Sequence, residues 1–470
     1  MRFDSFVFAG LFLPVVLTLF WLSPDDRYKR TILLGSSLVF YGYWNPPYLI
    51  LLIGMVGVAW LCARLAEHTP ASWPLWTAAF LLLGTLGLFK YSAFASLVAR
   101  DLGLADHGGS PALVLALPLG ISFIAFQALG YVIDVHRREF PAEPRFGVVL
   151  LFKAFFPQLI AGPICRAHQL MPQLRGHFAF SWDRLLSGAA IFALGLFLKS
   201  VFADSLAPHV DRLFDDGTVR TAYHSWAAAY GFAGQIYSDF WGYSTMAVGL
   251  ARMFGIDLPI NFTLPYLSRS IREFWTRWHI TLSHWLRDYL YKPLGGSHRG
   301  PIRTMVALLI TMLLGGLWHG AHYTFLLWGL LHGLVLSLEH AVGRDTRERD
   351  PSAQLTLPAV LSQAGGWIYT MGTVLVGWIL FRAATVGQAL DMIASLGIFT
   401  GEKTVSPSVL PVTLLTLALL VLQIPIQAAI TAFREGRVPA DVSLASAFSM
   451  VWLSIVLGAP DTYPFVYFQF

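Results

Sequence analysis

The chain has 470 residues and a formal net charge of +5; 56% of its residues are hydrophobic, 14% aromatic and only 13% charged. That is about half the charged fraction of a soluble globular chain, and with a mean hydropathy of +0.60 it excludes a string of soluble domains. The short Lys/Arg clusters flank apolar runs, as cytoplasmic loops and sites for anionic headgroups do, so the basic balance is no sign of nucleic-acid binding.

Repeated apolar runs of roughly 20 residues imply an all-α, polytopic membrane protein built as a single domain over residues 1–470. Residues 5–23 can span, and they lack a small-residue cleavage site, so they are read as a retained first helix. A short apolar run to Trp44 follows, then helices near 47–66, 76–94 and 111–135. The linkers after the first, third and fifth helices carry Arg27, Lys29, Arg30, Arg64, Arg137, Arg138 and Arg145, which places them in the cytoplasm. Cys62 and Cys165 stand far apart with no CxxC or Cys/His pattern, which argues against a disulfide framework or a zinc–thiolate site.

Residues 146–164 are interrupted by Lys153, Pro157, Gly162 and Pro163, and suggest either a broken, re-entrant helix or a kinked one. A span near 185–202 ends with Lys199 placed to snorkel. Within 221–254, Gln235, Tyr237, Ser238, Asp239 and Tyr243 interrupt a glycine-broken apolar helix. Such groups face the bundle interior, where they either tie helices together or line a cavity. Spans near 302–317, 322–340, 364–381, 408–430 and 444–459 bring the expectation to about eleven. A polar loop at 343–356, an interfacial helix at 385–399 and an aromatic tail suited to the membrane interface complete the reading.

The chain's chemistry concentrates between Ser268 and His322. Projected as one helix, Ser268–Tyr291 puts Phe274, Trp275, Trp278, Leu282, Trp285, Leu286 and Tyr289 on one face and Arg269, Glu273, Arg277, His284, Arg287 and Asp288 on the other. That pattern predicts an amphipathic helix lying on the bundle or bilayer surface, with His279 at the border of the two faces. His319 lies in the apolar stretch LLITMLLGGLWHGAHYTFLLW beside Gly315, Gly316 and Gly320. A buried imidazole there is either a packing residue or a general base, since its ordinary pKa is near neutral. His319 and His322 with His279 or His284 would give three nitrogen ligands, but no HExxH or carboxylate-rich set accompanies them, so no metal site is expected. There is no Walker or dinucleotide fingerprint and no GxSxG elbow.

At these residues the chain resembles the membrane-bound O-acyltransferase family, in particular its bacterial branch concerned with alginate, teichoic acid, peptidoglycan and cellulose acylation. The resemblance runs through FYGYWNPPYL, PLGISFIAFQALGYVIDV, FFPQLIAGPI, QIYSDFWGYSTMAVGLARMFGIDLPINF, REFWTRWHITLSHWLRDYLYKPLGG, GGLWHGAHYTFLLWG and the tail FVYFQF. It implies a catalytic histidine in WHG, which is His319, and a second in RWH, which is His279. It also implies a tunnel in which a cytoplasmic acyl thioester meets an acceptor from the other side. Gln235, Tyr237, Asp239, Tyr243, Asn261, Trp278, Trp318 and His322 are the candidates for lining it. Arg269, Arg272, Arg277 and Lys292 would attract either an anionic donor or anionic lipid. The resemblance further implies acetyl-coenzyme A as donor with no bound cofactor, a periplasmic acetyltransferase or acyl-relay partner, an exported polysaccharide acceptor, and the bacterial inner membrane. The competing reading, a non-enzymatic polysaccharide exporter or ion-coupled carrier, calls for inverted halves, and no internal repeat is visible in the sequence.

Overall fold

The computed structural model describes residues 1–104, 116–215, 221–343, 357–399 and 406–468, and every regular element among them is helical. Eight helices are long and apolar enough to cross a membrane, among them Tyr48–His68, Trp73–Asp101, Pro301–His319 and Val409–Arg434, so the chain is a multi-pass membrane protein. Val7–Leu22 and Ile121–His136 are apolar but shorter. The span expected at 111–135 is therefore helical only from Ile121, with 111–115 outside the described residues, as is most of the 343–356 loop. The interfacial helix expected at 385–399 is present as Val386–Ser395.

The chain forms two compact units interleaved in sequence. The first comprises residues 1–192, 243–259 and 436–447, and the second 193–242, 260–435 and 448–470. In the first unit Tyr48–His68 packs against Trp73–Leu86, Ile121–His136 and Phe146–Ala154. Of the two readings of residues 146–164, a broken helix and a kinked one, the structure has the break. Phe155 leaves the helical region at ψ 107°, and a single turn, Phe156–Leu159, restarts around Pro157.

An interrupted helix leaves main-chain donors and acceptors that must be met inside the protein. Here Gln127 Nε2 donates to the Cys165 carbonyl at 2.9 Å and to Gln158 Oε1 at 3.1 Å. Gln158 Nε2 donates to the Phe152 carbonyl, and Ser37 Oγ accepts from Phe156 N at 3.2 Å. The Lys153 ammonium donates to the Gln127 carbonyl and lies 4.1 Å from the centroid of the Phe152 ring. Gly162 is required by close approach, since a Cβ there would come within 2.5 Å of Gln158 Cα.

The second unit contains a tightly crossed hairpin, Pro301–His319 and Tyr323–Ala341. Its glycines set the spacing: a Cβ on Gly316 would meet the Phe325 carbonyl oxygen at 2.2 Å, and one on Gly329 would meet that of Met312 at 2.4 Å. Small residues at a crossing let helix backbones touch in a bilayer, where dispersion and not hydrophobic exclusion drives packing.

The continuous helical stretch Trp182–Asp215 is wound as a π-helix over Leu198–Ala203. Lys199 lies in that turn and does not snorkel: it is 5% exposed and bonded to acidic side chains within the second unit. A wider turn of this kind displaces side chains from the regular helical register and recurs at functional positions.

Candidate active site

Ser268–Tyr291 is not one helix. Pro265–Leu267 forms a short 3-10 turn, Ile271–Arg277 and Ile280–Leu286 are separate helices, and a π-helical turn covers Arg287–Tyr291. The first helix starts where the sequence SIRE says it can: Ser270 Oγ accepts from Glu273 N at 3.0 Å, and Glu273 Oε2 accepts from Arg269 N at 2.8 Å. Buried Glu339, from the second helix of the hairpin, accepts from Ile271 N at 2.8 Å and Arg272 N at 3.0 Å, meeting the positive end of the helix with an anion.

The break falls at His279, which takes the left-handed backbone at φ 42°. For a residue with a full side chain that conformation is strained and persists only where neighbours impose it. Asn261 is the main such neighbour. Its carbonyl accepts from Ile280 N at 3.0 Å, and its side-chain Oδ1 accepts from Thr281 Oγ1 at 2.6 Å and Thr281 N at 3.3 Å. The break turns His279 inward, so it is fully buried instead of lying at the border of two faces. The apolar face of the expected helix is nonetheless buried as read, from Phe274 and Trp275 to Trp285 and Tyr289.

His319 ends the Pro301–His319 helix, buried, just before Gly320 turns the chain into the next helix. Trp318 contacts both histidine rings, with centroids 4.9 Å from His319 and 6.1 Å from His279. The circuit closes on the other side. Phe240 lies edge-on to His279 at 4.6 Å and packs on Tyr467 at 4.6 Å, and Tyr467 lies 5.5 Å from His319. His279, Phe240, Tyr467, His319 and Trp318 thus form a closed ring of side-chain contacts within one unit. Trp328 and Phe381 back His319 at 5.1 and 5.4 Å. The Tyr467 hydroxyl is buried and has no hydrogen-bond partner among the described residues.

Burial alone pushes the His279 imidazole down to about 3, so it stays neutral at any physiological pH. A neutral imidazole carries one N–H donor and one acceptor nitrogen. No group of three His, Cys, Asp or Glu side chains among the described residues is arranged to hold a metal ion.

The other sequence candidates separate. Tyr237 is buried and stacks on Trp241 at 5.0 Å, Trp278 sits in an aromatic core with Phe262, Phe274 and Trp378, and Gln235, two residues before Tyr237, is also buried. The Tyr237 hydroxyl and Gln235 Oε1 also have no partner among the described residues. Tyr243 belongs to the first unit, where it stacks on Phe3 at 4.8 Å. Asn261 holds the break, and His322 caps the Tyr323–Ala341 helix by accepting from Thr324 N at 3.3 Å. Asp239 is bonded to Lys199 at 2.9 Å. Arg269, Arg272 and Lys292 are exposed, Arg277 pairs with Glu273 at 2.7 Å, and Lys292 pairs with Asp288 at 2.6 Å.

Sequence reasoning missed Tyr467, Phe240 and the buried network at Lys199. The aromatic tail was read as an interfacial anchor, but Phe465 and Val466 are buried in the second unit. The available signal was a tyrosine between two phenylalanines in FVYFQF, a pattern that hydropathy cannot tell from an anchor.

Comparison with known proteins gives one family and three informative relatives. The sequence profile of MBOAT, the membrane-bound O-acyltransferase family, matches residues 107–377. The chain is 35% identical to the probable alginate O-acetylase AlgI of Pseudomonas putida over 503 aligned residues, spanning 100% of both chains. It is 34% identical to the peptidoglycan O-acetyltransferase of Helicobacter pylori, over 84% of this chain and 79% of that one. Similarity extends to the teichoic acid D-alanyltransferase of Streptococcus thermophilus, 29% identical over 56% of this chain and 68% of the relative.

Proposed function

The chain belongs to the membrane-bound O-acyltransferase family, and from that premise we propose that it moves an acetyl group from a cytoplasmic thioester, acetyl-coenzyme A, onto an exported polysaccharide through a periplasmic relay partner. The protein is an O-acyltransferase; the donor, the acceptor, the partner and the inner-membrane location are what we propose. The observation that supports it is the closed ring of side-chain contacts through His279, Phe240, Tyr467, His319 and Trp318.

In the proposed step the His319 imidazole takes the proton of an acceptor hydroxyl as its oxygen attacks the thioester carbonyl. The carbon–oxygen bond forms, the carbon–sulfur bond breaks, and the leaving thiolate is protonated by the imidazolium, which returns to its neutral state. His279, held neutral, donates its N–H to the oxygen that gains charge. The Tyr467 hydroxyl is available to hydrogen-bond the acceptor. Aromatic side chains on every side of His319 keep water from the thioester and strengthen each polar contact. Alginate is the first acceptor to test, because the Pseudomonas putida relative bearing that name aligns over the whole chain.

The test is the base-releasable acetyl content of exported polysaccharide and of cell wall, in cells carrying the wild-type protein or His319→Ala at equal membrane abundance. Loss from one polymer supports the reaction and names the acceptor. Retention in every polymer overturns the proposal.

A further inference from the structure

Three buried ionisable groups lie outside the chemistry of the two histidines. Lys199, Asp204 and Asp239 are 5%, 2% and 1% exposed. The Lys199 ammonium donates to Asp204 Oδ1 at 2.8 Å and lies 2.9 Å from Asp239 Oδ1. Two carboxylates and one ammonium leave an excess negative charge in a dry interior, an arrangement that costs desolvation and gives little net stability.

The excess is met by the main chain of the aromatic tail. Asp239 Oδ2 accepts from Val466 N at 2.6 Å, Asp204 Oδ1 accepts from Tyr463 N at 3.3 Å, and the Tyr463 carbonyl accepts from Lys199 Nζ at 3.0 Å. The same π-helical turn holds the start of the tail, where the Ser200 carbonyl accepts from Ala459 N at 3.1 Å. The residue after the last of these bonds is Tyr467.

We propose that Lys199, Asp204 and Asp239 form a clamp whose work is to position Tyr467 beside His319. They are positioning residues, acting on the reaction through the tail and not by touching substrate. Three features support this. The network binds main chain, so it fixes the path of the tail whatever its side chains. It sits on a π-helical turn, which sets Lys199 and Asp204, five residues apart, on the same ammonium–carboxylate contact. Asp239 also precedes Phe240, the residue bridging His279 and Tyr467. One side chain therefore fixes a wall of the site and the adjacent one fixes the strap across it.

This inference rests on the reading that Tyr467 belongs to the active site, and the experiment separates the two. In full-length protein in native membranes, Val466→Cys is treated with a membrane-permeant maleimide, with labelling of the parent cysteines subtracted. The cysteine should be protected when Asp239 is intact and modified at least about tenfold faster with Asp239→Ala, since a freed strap exposes it. Asp239→Leu, which removes the acceptor while keeping the side chain's bulk, serves if the alanine variant does not reach the membrane.

Acetyl transfer is then measured for Asp239→Ala, Tyr467→Phe and the double variant. Displacing the tail should cost about a hundredfold, and the double variant should be no slower than the slower single variant, because both changes act through one side chain. Continued protection of the cysteine with Asp239→Ala overturns the clamp, as do losses that multiply. If Tyr467→Phe alone leaves transfer intact, the active-site reading of Tyr467 fails, while the labelling result still decides whether the clamp exists.

Discussion

Two interruptions of helix, one in each unit, solve the same problem and leave different products. At Phe155 the freed main-chain groups are met by Gln127, Gln158 and Ser37, and the buried Lys153 is spent on a carbonyl and an aromatic face. At Trp278–His279 the Ile280 and Thr281 amides are met by Asn261, the Arg277 carbonyl by Thr263 N and the Trp278 carbonyl by Ser283 Oγ, and the side chain at the break is turned into a ring with His319 and Tyr467. The first break uses its polar side chains to hold backbone. The second satisfies its backbone largely through residues remote in sequence, Asn261 and Thr263, and packs the side chain at the break against Phe240 and Trp318. Where the polar groups of an interruption are all absorbed by main chain, the interruption is structural.

The two breaks should differ most in their bearing on His319. Replacement by alanine should lower acetyl transfer about a hundred- to ten-thousandfold, the range for loss of a general base, with thermal stability in detergent nearly unchanged. Equal losses in both would make His319 a packing residue.

His279→Asn is the matching test at the break itself. Asparagine tolerates the left-handed backbone better than most residues, so the fold should survive while transfer falls about a hundredfold or more for loss of an oxyanion donor. A variant that unfolds, or that keeps full activity, would erase the distinction between the two breaks.

At the first break the expectation inverts. Gln127→Ala leaves the Cys165 carbonyl and Gln158 side chain without their donor, which should destabilise the protein by about 1–3 kcal/mol. Transfer per folded molecule, measured against membrane-inserted protein, should stay within about twofold, the spread expected when a change lies outside the chemistry. A hundredfold loss would put the first break in the active site.

The smallest effect concerns pH. The folded His279 pKa, about 3, lies below the ordinary value of 6.5, so between those limits the unfolded chain binds the extra proton. Stability therefore rises with pH through that window and is lost on acidification. Thermal melts at pH 7.5, 5.5 and 4.5 should show His279→Asn flattening this slope, and an unchanged slope would show that His279 does not remain neutral in the folded protein.

The sequence made the helical membrane class legible because hydropathy is local, and the interruption at 146–164 because Pro157, Gly162 and Pro163 announce it. The burial of His319 was legible from its apolar surroundings, and Gly316 does bring the hairpin backbones together. The break at His279 was not, since TRWHIT contains no proline or glycine and the turn is imposed by Asn261, eighteen positions upstream. The amphipathic pattern survived the break because two short helices in near register bury the same aromatic face. Lys199 read as a snorkelling residue and FVYFQF as an interfacial tail for one reason: their partners are 264 and 227 positions apart in sequence, for Lys199–Tyr463 and Asp239–Val466. No periodicity reports pairings at such a distance.

The central claim is that the two histidines act on one reacting centre. Its most direct test is the initial rate of transfer from labelled acetyl-coenzyme A into the polymer fraction of membrane vesicles, for His279→Asn, His319→Ala and the double variant. The account predicts a double variant no slower than His319→Ala alone, because an oxyanion donor has nothing to stabilise once the attack is lost. Losses that multiply would contradict it and place the two histidines in separate steps.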